Sequence, residues 1–132
     1  MLSLPPSVRV FLHTRPVDLR KGFDGLSALV TDAFGQDPLS GHLFLFLNRR
    51  RDRVKILWWD RDGLVIFYKR LERGSYQLPR VAADTVAVET THTQLSLILS
   101  GIDLDSARQR KRYVRPAANA PEFRVVALPG DV

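Results

Sequence analysis

At 132 residues, with no cysteine, the chain fits one domain that can bury a hydrophobic core without covalent staples. Disulfides, thiolate metal sites and cysteine nucleophiles are excluded, and a reducing, cytoplasmic location is expected. Lys and Arg number 20 against 14 Asp and Glu, a net charge of +6 with a pI near 10.3, which favours nucleic acid, an anionic membrane or an acidic protein as partner. No apolar run approaches the roughly 20 residues that span a bilayer, and the first residues lack the order of a signal peptide, so no membrane partner is expected.

In chain order, Val8 to Leu12 is a short β-rich run closed by His13-Thr14-Arg15-Pro16, predicting a strand and a turn. Asp18 follows as a helix N-cap. Leu19, Phe23, Leu26, Val30 and Ala33 then recur at helical spacing, predicting one long amphipathic helix from Leu19 to Phe34, ended by Gly35. Gly22 and Gly25 each cost such a helix roughly 1 kcal/mol relative to Ala. Both are therefore expected where another backbone or a ligand comes close.

After a loop at 36–41, three strands are predicted: His42 to Leu47, Arg53 to Trp59 and Leu64 to Arg70. The turns between them, Asn48 to Asp52 and Asp60-Arg61-Asp62-Gly63, are rich in turn formers, so the strands form an antiparallel meander. With Trp59 opposite Leu64, one face carries Phe44, Phe46, Val54, Ile56, Trp58, Val65 and Phe67 and reads as the core face. The other carries Leu43, Leu45, Leu57, Trp59, Leu64 and Ile66, with Arg53, Lys55, Tyr68 and Arg70 toward one end. A sheet apolar on both faces needs a cover on each, either two helices or one helix and a partner.

Thr85 to Val88 is a candidate further strand. Thr91 to Gln94 has capping-box spacing, Leu95, Ile98 and Leu99 form a stripe, and Gly101 suits a C′ position, so a short C-terminal helix is predicted. The fold class that results is α+β: an antiparallel β-meander with one long amphipathic helix and a short C-terminal helix, occupying residues 1–103. Residues 104–132 read as a basic, mobile tail. Within it Arg108, Arg110, Lys111, Arg112 and Arg115 occur without an acid among them.

Chemistry concentrates between Asn48 and Gly74, where basic and aromatic residues interleave on strands, as a polyanion-binding surface requires. Arg49-Arg50-Arg51 is either a solvated turn or a cationic finger that follows a nucleic-acid backbone. Arg20 and Lys21, placed in the first turn of the long helix, sit against the positive end of its dipole. Either they point to solvent or pair with Asp24, or a phosphate bound there with Arg15 relieves the conflict. Trp58 and Trp59 face opposite ways in a strand, Trp58 as core and Trp59 for stacking, for covering the second helix or for anchoring a protein.

Asp60 and Asp62, with Asp18, Asp24 or Glu72, are the candidate ligands for a nuclease metal, against the plainer reading of Asp-Arg-Asp-Gly as a turn. The three histidines stand singly, and no phosphate loop or nucleophile elbow occurs. No cofactor is expected and no catalytic constellation is found.

Three blocks carry a family resemblance: Pro16 to Leu26 (PVDLRKGFDGL), Arg53 to Asp60 (RVKILWWD), and Asp62-Gly63-Leu64 with Phe67 to Gly74 (FYKRLERG). In this order they resemble the small accessory proteins, often labelled TnpB, encoded by the second reading frame of bacterial insertion sequences of family sixty-six. The likeness covers roughly Val8 to Asp103. It departs from the usual pattern at Leu47-Asn48, where a basic residue is common, and at Arg61, where a small one is common.

The resemblance implies a role in transposition beside a separate transposase that carries the catalytic acids, and no chemistry of its own. The expectation is a non-catalytic accessory protein that binds element DNA, the transposase, or both. Phosphate contacts are expected from Arg15, Arg20, Lys21, Arg49, Arg50, Arg51, Arg53, Lys55, Lys69 and Arg70, and stacking or partner packing from Trp59 and Tyr68. The alternative is a protein–protein adaptor or homodimer that docks through the apolar second face without touching DNA. A metal-dependent nuclease is the third reading.

Overall fold

Alternation of Leu and Phe along Leu43–Leu47 decides the layering, because successive strand side chains point to opposite faces. All five are buried, so this strand must be central and apolar on both sides. A computed structural model of the protein describes residues 4–101. It contains a five-stranded mixed sheet and two short helices. The strands are β1 (Val10–His13), β2 (Leu43–Leu47), β3 (Arg53–Asp60), β4 (Gly63–Arg70) and β5 (Ala87–Thr90), in the order β4-β3-β2-β1-β5.

The meander β2-β3-β4 is present as predicted, with Trp59 opposite Leu64. The sheet is extended on its other side by β1, which runs parallel to β2 and antiparallel to β5. Parallel neighbours need a crossover, and α1 (Phe23–Leu29) supplies it between β1 and β2. The candidate strand at 85–88 lies two residues later, at Ala87–Thr90.

The face assignment of β2 is reversed relative to the expectation. Phe44 lies opposite Leu57, and Leu45 opposite Ile56. Phe44 and Phe46 therefore share a face with Leu57, Leu64 and Ile66, while Leu43, Leu45 and Leu47 share the face of Val54 and Ile56. A shift of one residue in pairing inverts every side chain of a strand, and a strand apolar on both faces offers no hydropathy signal to choose between the two. The assignments within β3 and β4 stand, although Phe67, at the sheet edge, is 38% exposed.

Each face has its own cover. On the phenylalanine face, Leu26 of α1 and Val30 pack with Phe11, Phe44, Phe46 and Leu57. The five-residue π turn that continues α1 (Val30–Phe34) carries the Phe34 ring to 5.4 Å from Phe44 and 5.8 Å from Phe46. On the leucine face, Leu95 and Ile98 of α2 (His92–Ser100) join Tyr76 and Leu4, with Trp58 half-buried beside them. Thr91 caps α2 through a complete capping box with Gln94, and Gly101 ends it in the left-handed region, as the sequence predicts. Of the two expected ways to cover a sheet apolar on both faces, the chain thus uses its own two helices.

The long helix from Leu19 to Phe34 is not formed: α1 and its π turn run only from Phe23 to Phe34. Asp18 does not cap it. Its carboxylate accepts the Arg20 N–H at 3.0 Å, and its carbonyl accepts the Lys21 N–H at 3.1 Å, so the chain turns at this point and the helix starts behind Gly22. Nor do the glycines mark the close approach of another backbone. A Cβ at Gly22 would meet nothing within 4 Å, and one at Gly25 would meet the Lys21 side-chain stem at 3.0 Å.

The two-residue turn from β3 to β4 places Arg61 at φ 56°, a region that costs an L-residue about 1–2 kcal/mol. Gly there gives back part of that gain in chain entropy. Arg61→Gly is therefore expected to stabilise the domain by roughly 0.5–1 kcal/mol, read as a higher urea midpoint at unchanged slope. Among the described residues no helix is long and apolar enough to cross a membrane. The expected tail at 104–132, with its basic run from Arg108 to Arg115, lies outside the described residues.

Candidate nucleic-acid interface

The C-terminal ends of β2 and β4 and the start of β3 meet at one edge of the molecule, and the loop before α1 folds against them through the Val17 N–H, which donates to the Leu47 carbonyl at 2.8 Å. Between loop and sheet lies a concavity lined by Asp18, Leu19, Arg20, Asn48, Arg50, Asp52, Arg53 and Tyr68. Its volume of about 330 Å³ is at the low end for small-molecule pockets, roughly 300–1,000 Å³, and it opens to solvent. A second concavity adjoins it, bounded by Pro16, Val17, Asp18, Leu19, Asn48, Arg49 and Arg50.

Asn48 builds the turn that presents the arginines. Its Oδ1 accepts the backbone N–H groups of Asp52 at 3.1 Å and Arg53 at 3.0 Å, and its Nδ2 donates to the Asp52 carboxylate at 2.6 Å. The Arg51 N–H closes the turn onto the Asn48 carbonyl at 3.1 Å, with Arg51 itself at φ 58°. The far side of the turn is tied down by the segment after β4. There Leu71 N–H donates to the Asp52 carbonyl and Tyr76 N–H to the Arg51 carbonyl, both at 2.7 Å. Sequence reasoning placed Asn48 at the start of the turn and noted it as a departure from the family pattern, without giving its side chain a role. Its position directly before the turn, with Asp52 four residues on, is the signal that marks it as the scaffold.

The charges at the concavity sort by partner. The Asp18 carboxylate forms an ion pair with the Arg20 guanidinium at 2.7 Å, both groups being exposed. Hydrogen bonds from the Arg20 side chain, and then from its backbone N–H, hold the Asp18 carboxyl down at about 2. Asp52 is engaged by the Asn48 amide. Arg53 donates to the Tyr68 hydroxyl at 3.0 Å, which raises its pKa above the ordinary arginine value. Lys55 lies over the Tyr68 ring, 4.8 Å from its centre, and donates to the Lys21 carbonyl at 2.9 Å. Asp18 is thus taken up by Arg20 itself and Asp52 by a neutral amide, so that among the described residues Arg50 and Arg53 are the guanidinium groups at the concavity with no carboxylate in hydrogen-bond contact, with Lys55 behind the Tyr68 ring.

The Asp18 and Arg20 pair has a pH signature. A carboxyl depressed in the folded protein contributes stability above its unfolded value, 3.8, and loses it as pH falls through about 2. The expected result is an Asp18 carboxyl titrating near pH 2 by NMR. Replacing Arg20 by Gln should return it toward 3.8, and an unmoved titration would show that the pair does not form in solution.

The structure divides the residues expected to contact nucleic acid. Arg20, Arg49, Arg50, Arg53, Lys55 and Tyr68 come together around the two concavities, with Lys21 adjoining through its carbonyl. Arg70 lies across the ladder from Arg53 and is paired with Glu72 at 3.0 Å. The rest lie elsewhere. Arg15 donates to the Ala83 carbonyl at 3.0 Å on the β5 side. Arg51 lines neither concavity, and Lys69, opposite Val54, belongs to the leucine face. Trp59 shares the face of Lys55 but sits four residues along β3, roughly 13 Å away at the strand rise.

Arg20 and Lys21 precede α1 instead of occupying its first turn, so the conflict with the helix dipole that motivated a phosphate site there does not arise. Among the described residues no three His, Asp or Glu side chains gather as a metal site, so neither Asp18, Asp24 nor Glu72 joins Asp60 and Asp62.

Fold and site define a small α+β domain with an arginine-lined edge. The chain belongs to the family described as IS66 Orf2-like proteins, whose model matches residues 8–109, which makes it an insertion-sequence accessory protein. It is similar to the uncharacterized protein y4jC of Sinorhizobium fredii (strain NBRC 101917 / NGR234), with 34% identity over 88% of this chain and 97% of that relative. It is also similar to the uncharacterized protein y4hO of the same strain, with 38% identity over 78% of this chain and 88% of that relative. No solved structure matches the chain.

Proposed function

We propose that the chain is a non-catalytic accessory protein of transposition that binds the DNA of its element, beside the element's transposase. The observation that carries this reading is the convergence of Arg49, Arg50 and Arg53 on one open edge, beside an Arg20 that is paired with Asp18. Guanidinium groups so placed meet phosphate oxygens, and a shallow open concavity suits a length of backbone lying across it. Tyr68, half-exposed and held by Arg53 and Lys55, offers a ring against sugar or base.

The test is binding of the purified full chain to a labelled terminal repeat of its element, against a scrambled duplex, through a salt titration. The expected result is binding that weakens linearly with the logarithm of salt concentration. Selectivity for the repeat would make the protein an end-recognition subunit. Absence of binding to either duplex at low salt would overturn the reading.

A further inference from the structure

Among the described residues strand β4 ends the sheet. It is eight residues long against four for β5 at the opposite edge, and it contains no proline. Among the described residues no strand pairs with its outer side. Natural sheets blunt such edges by shortness, proline, bulges or central charge. In β4 the centre is apolar, Leu64-Val65-Ile66-Phe67-Tyr68, and the charges stand at its ends. Asp62 precedes it in the turn, and Lys69 and Arg70 close it. Phe67 is 38% and Tyr68 50% exposed.

An edge that is acidic at its start and basic at its finish is complementary to itself when run antiparallel. We infer that β4 is a homodimer edge, pairing antiparallel with β4 of a second copy of this chain to make one continuous ten-stranded sheet.

The chemistry also selects a register. Directly opposed residues of an antiparallel pair share a face, so a residue must lie on the two-fold axis. With Phe67 on the axis, Asp62 would meet Glu72 of the other copy, two like charges. With Ile66 on the axis, Val65 meets Phe67, Leu64 meets Tyr68, and Asp62 meets Arg70. That register joins the two exposed aromatics to aliphatic partners and sets a carboxylate beside each terminal guanidinium. Asp62 makes no side-chain hydrogen bond or ion pair among the described residues, whereas Arg70 already holds Glu72 and would then lie between two acids.

The two-fold stands normal to the sheet, so both copies of α1 lie on the same side. The apolar faces are covered within each chain, and the edge alone is what the second copy completes.

The test is sedimentation equilibrium of the full chain across a wide concentration range, without DNA, for the native protein, Asp62→Arg, Arg70→Asp and the double exchange. Both positions are exposed, so folding is expected to survive and is checked by circular dichroism. A reversible dimer is expected, weakened about tenfold by each single reversal and restored by the double exchange. A monomer at every concentration overturns the inference. So does a dimer indifferent to both reversals, or one that the double exchange fails to restore.

Discussion

Replacing Phe44 by Ala is expected to cost about 3–5 kcal/mol, the range for deleting a fully buried aromatic ring. Phe44 is completely buried, stacks on Phe11 with ring centres 5.4 Å apart, and meets Phe34 at the same distance. These rings join β1, β2 and the π turn, which no turn or hairpin connects locally, so the loss falls on the contact that holds the crossover to the sheet. A domain of this size has only roughly 5–15 kcal/mol in hand. Urea unfolding of the variant should therefore show a midpoint lowered by a large part of its native value, at unchanged slope. Phe67→Ala, at the exposed edge, should cost less than about 1 kcal/mol in the same titration. Equal losses at the two positions would mean that the ring cluster is not the centre of the core.

The second large effect is on DNA. Arg49→Glu together with Arg50→Glu reverses the two arginines that the Asn48 turn holds over the concavities. Neither side chain makes a hydrogen bond or ion pair among the described residues, so the fold should be unaffected. Each phosphate contact contributes about 0.9 to the slope of log affinity against log salt. The double reversal should lower that slope by about two and weaken binding ten- to a hundredfold near 0.1 M salt. Arg51→Glu is the control, since Arg51 belongs to the same basic run but lines neither concavity. If Arg51→Glu matched the double variant, overall charge and not the site would govern binding. An unchanged slope in the double variant would remove the turn from the interface.

What could be read from the sequence was what local chemistry decides. The β3–β4 hairpin and its pairing of Trp59 with Leu64 follow from a four-residue turn signal between two alternating runs. The α2 boundaries follow from a capping box and a terminal glycine. Each error involved a choice that local chemistry leaves balanced. Asp18 serves a cap and a tight turn equally well, and the nearby Arg20 guanidinium decided for the turn. The two faces of β2 are equally apolar, so only its distant partners β1 and β3 fix the register.

The site follows the same division. The basic turn and Tyr68 are visible as composition, but which cations share a surface depends on contacts far apart in sequence. Arg15 is drawn off by Ala83, and Lys69 falls on the other face by strand parity. The carboxylates that neutralise part of the charge, Asp18 and Asp52, gave no sign of that role in the charge count.

The position of β5 has a consequence for how the chain is made. Of the described strands synthesis delivers β1 first and β5 last, yet β5 is what lies along the outer side of β1, with Val10 opposite Thr90 and His13 opposite Ala87. Contacts closed over so long a loop form late. The four strands through Arg70 can therefore assemble on the ribosome while β1 still shows a bare margin of Val10, Phe11 and Leu12, a template for pairing with any neighbouring nascent chain. Thr14 then receives the returning segment, its N–H donating to the Val86 carbonyl and its hydroxyl to the Thr85 carbonyl, while Arg9 clasps Glu89. Strand β5 thus works as a latch, and a message truncated before Ala87 would yield a polypeptide that aggregates instead of one that merely lacks β5 and α2.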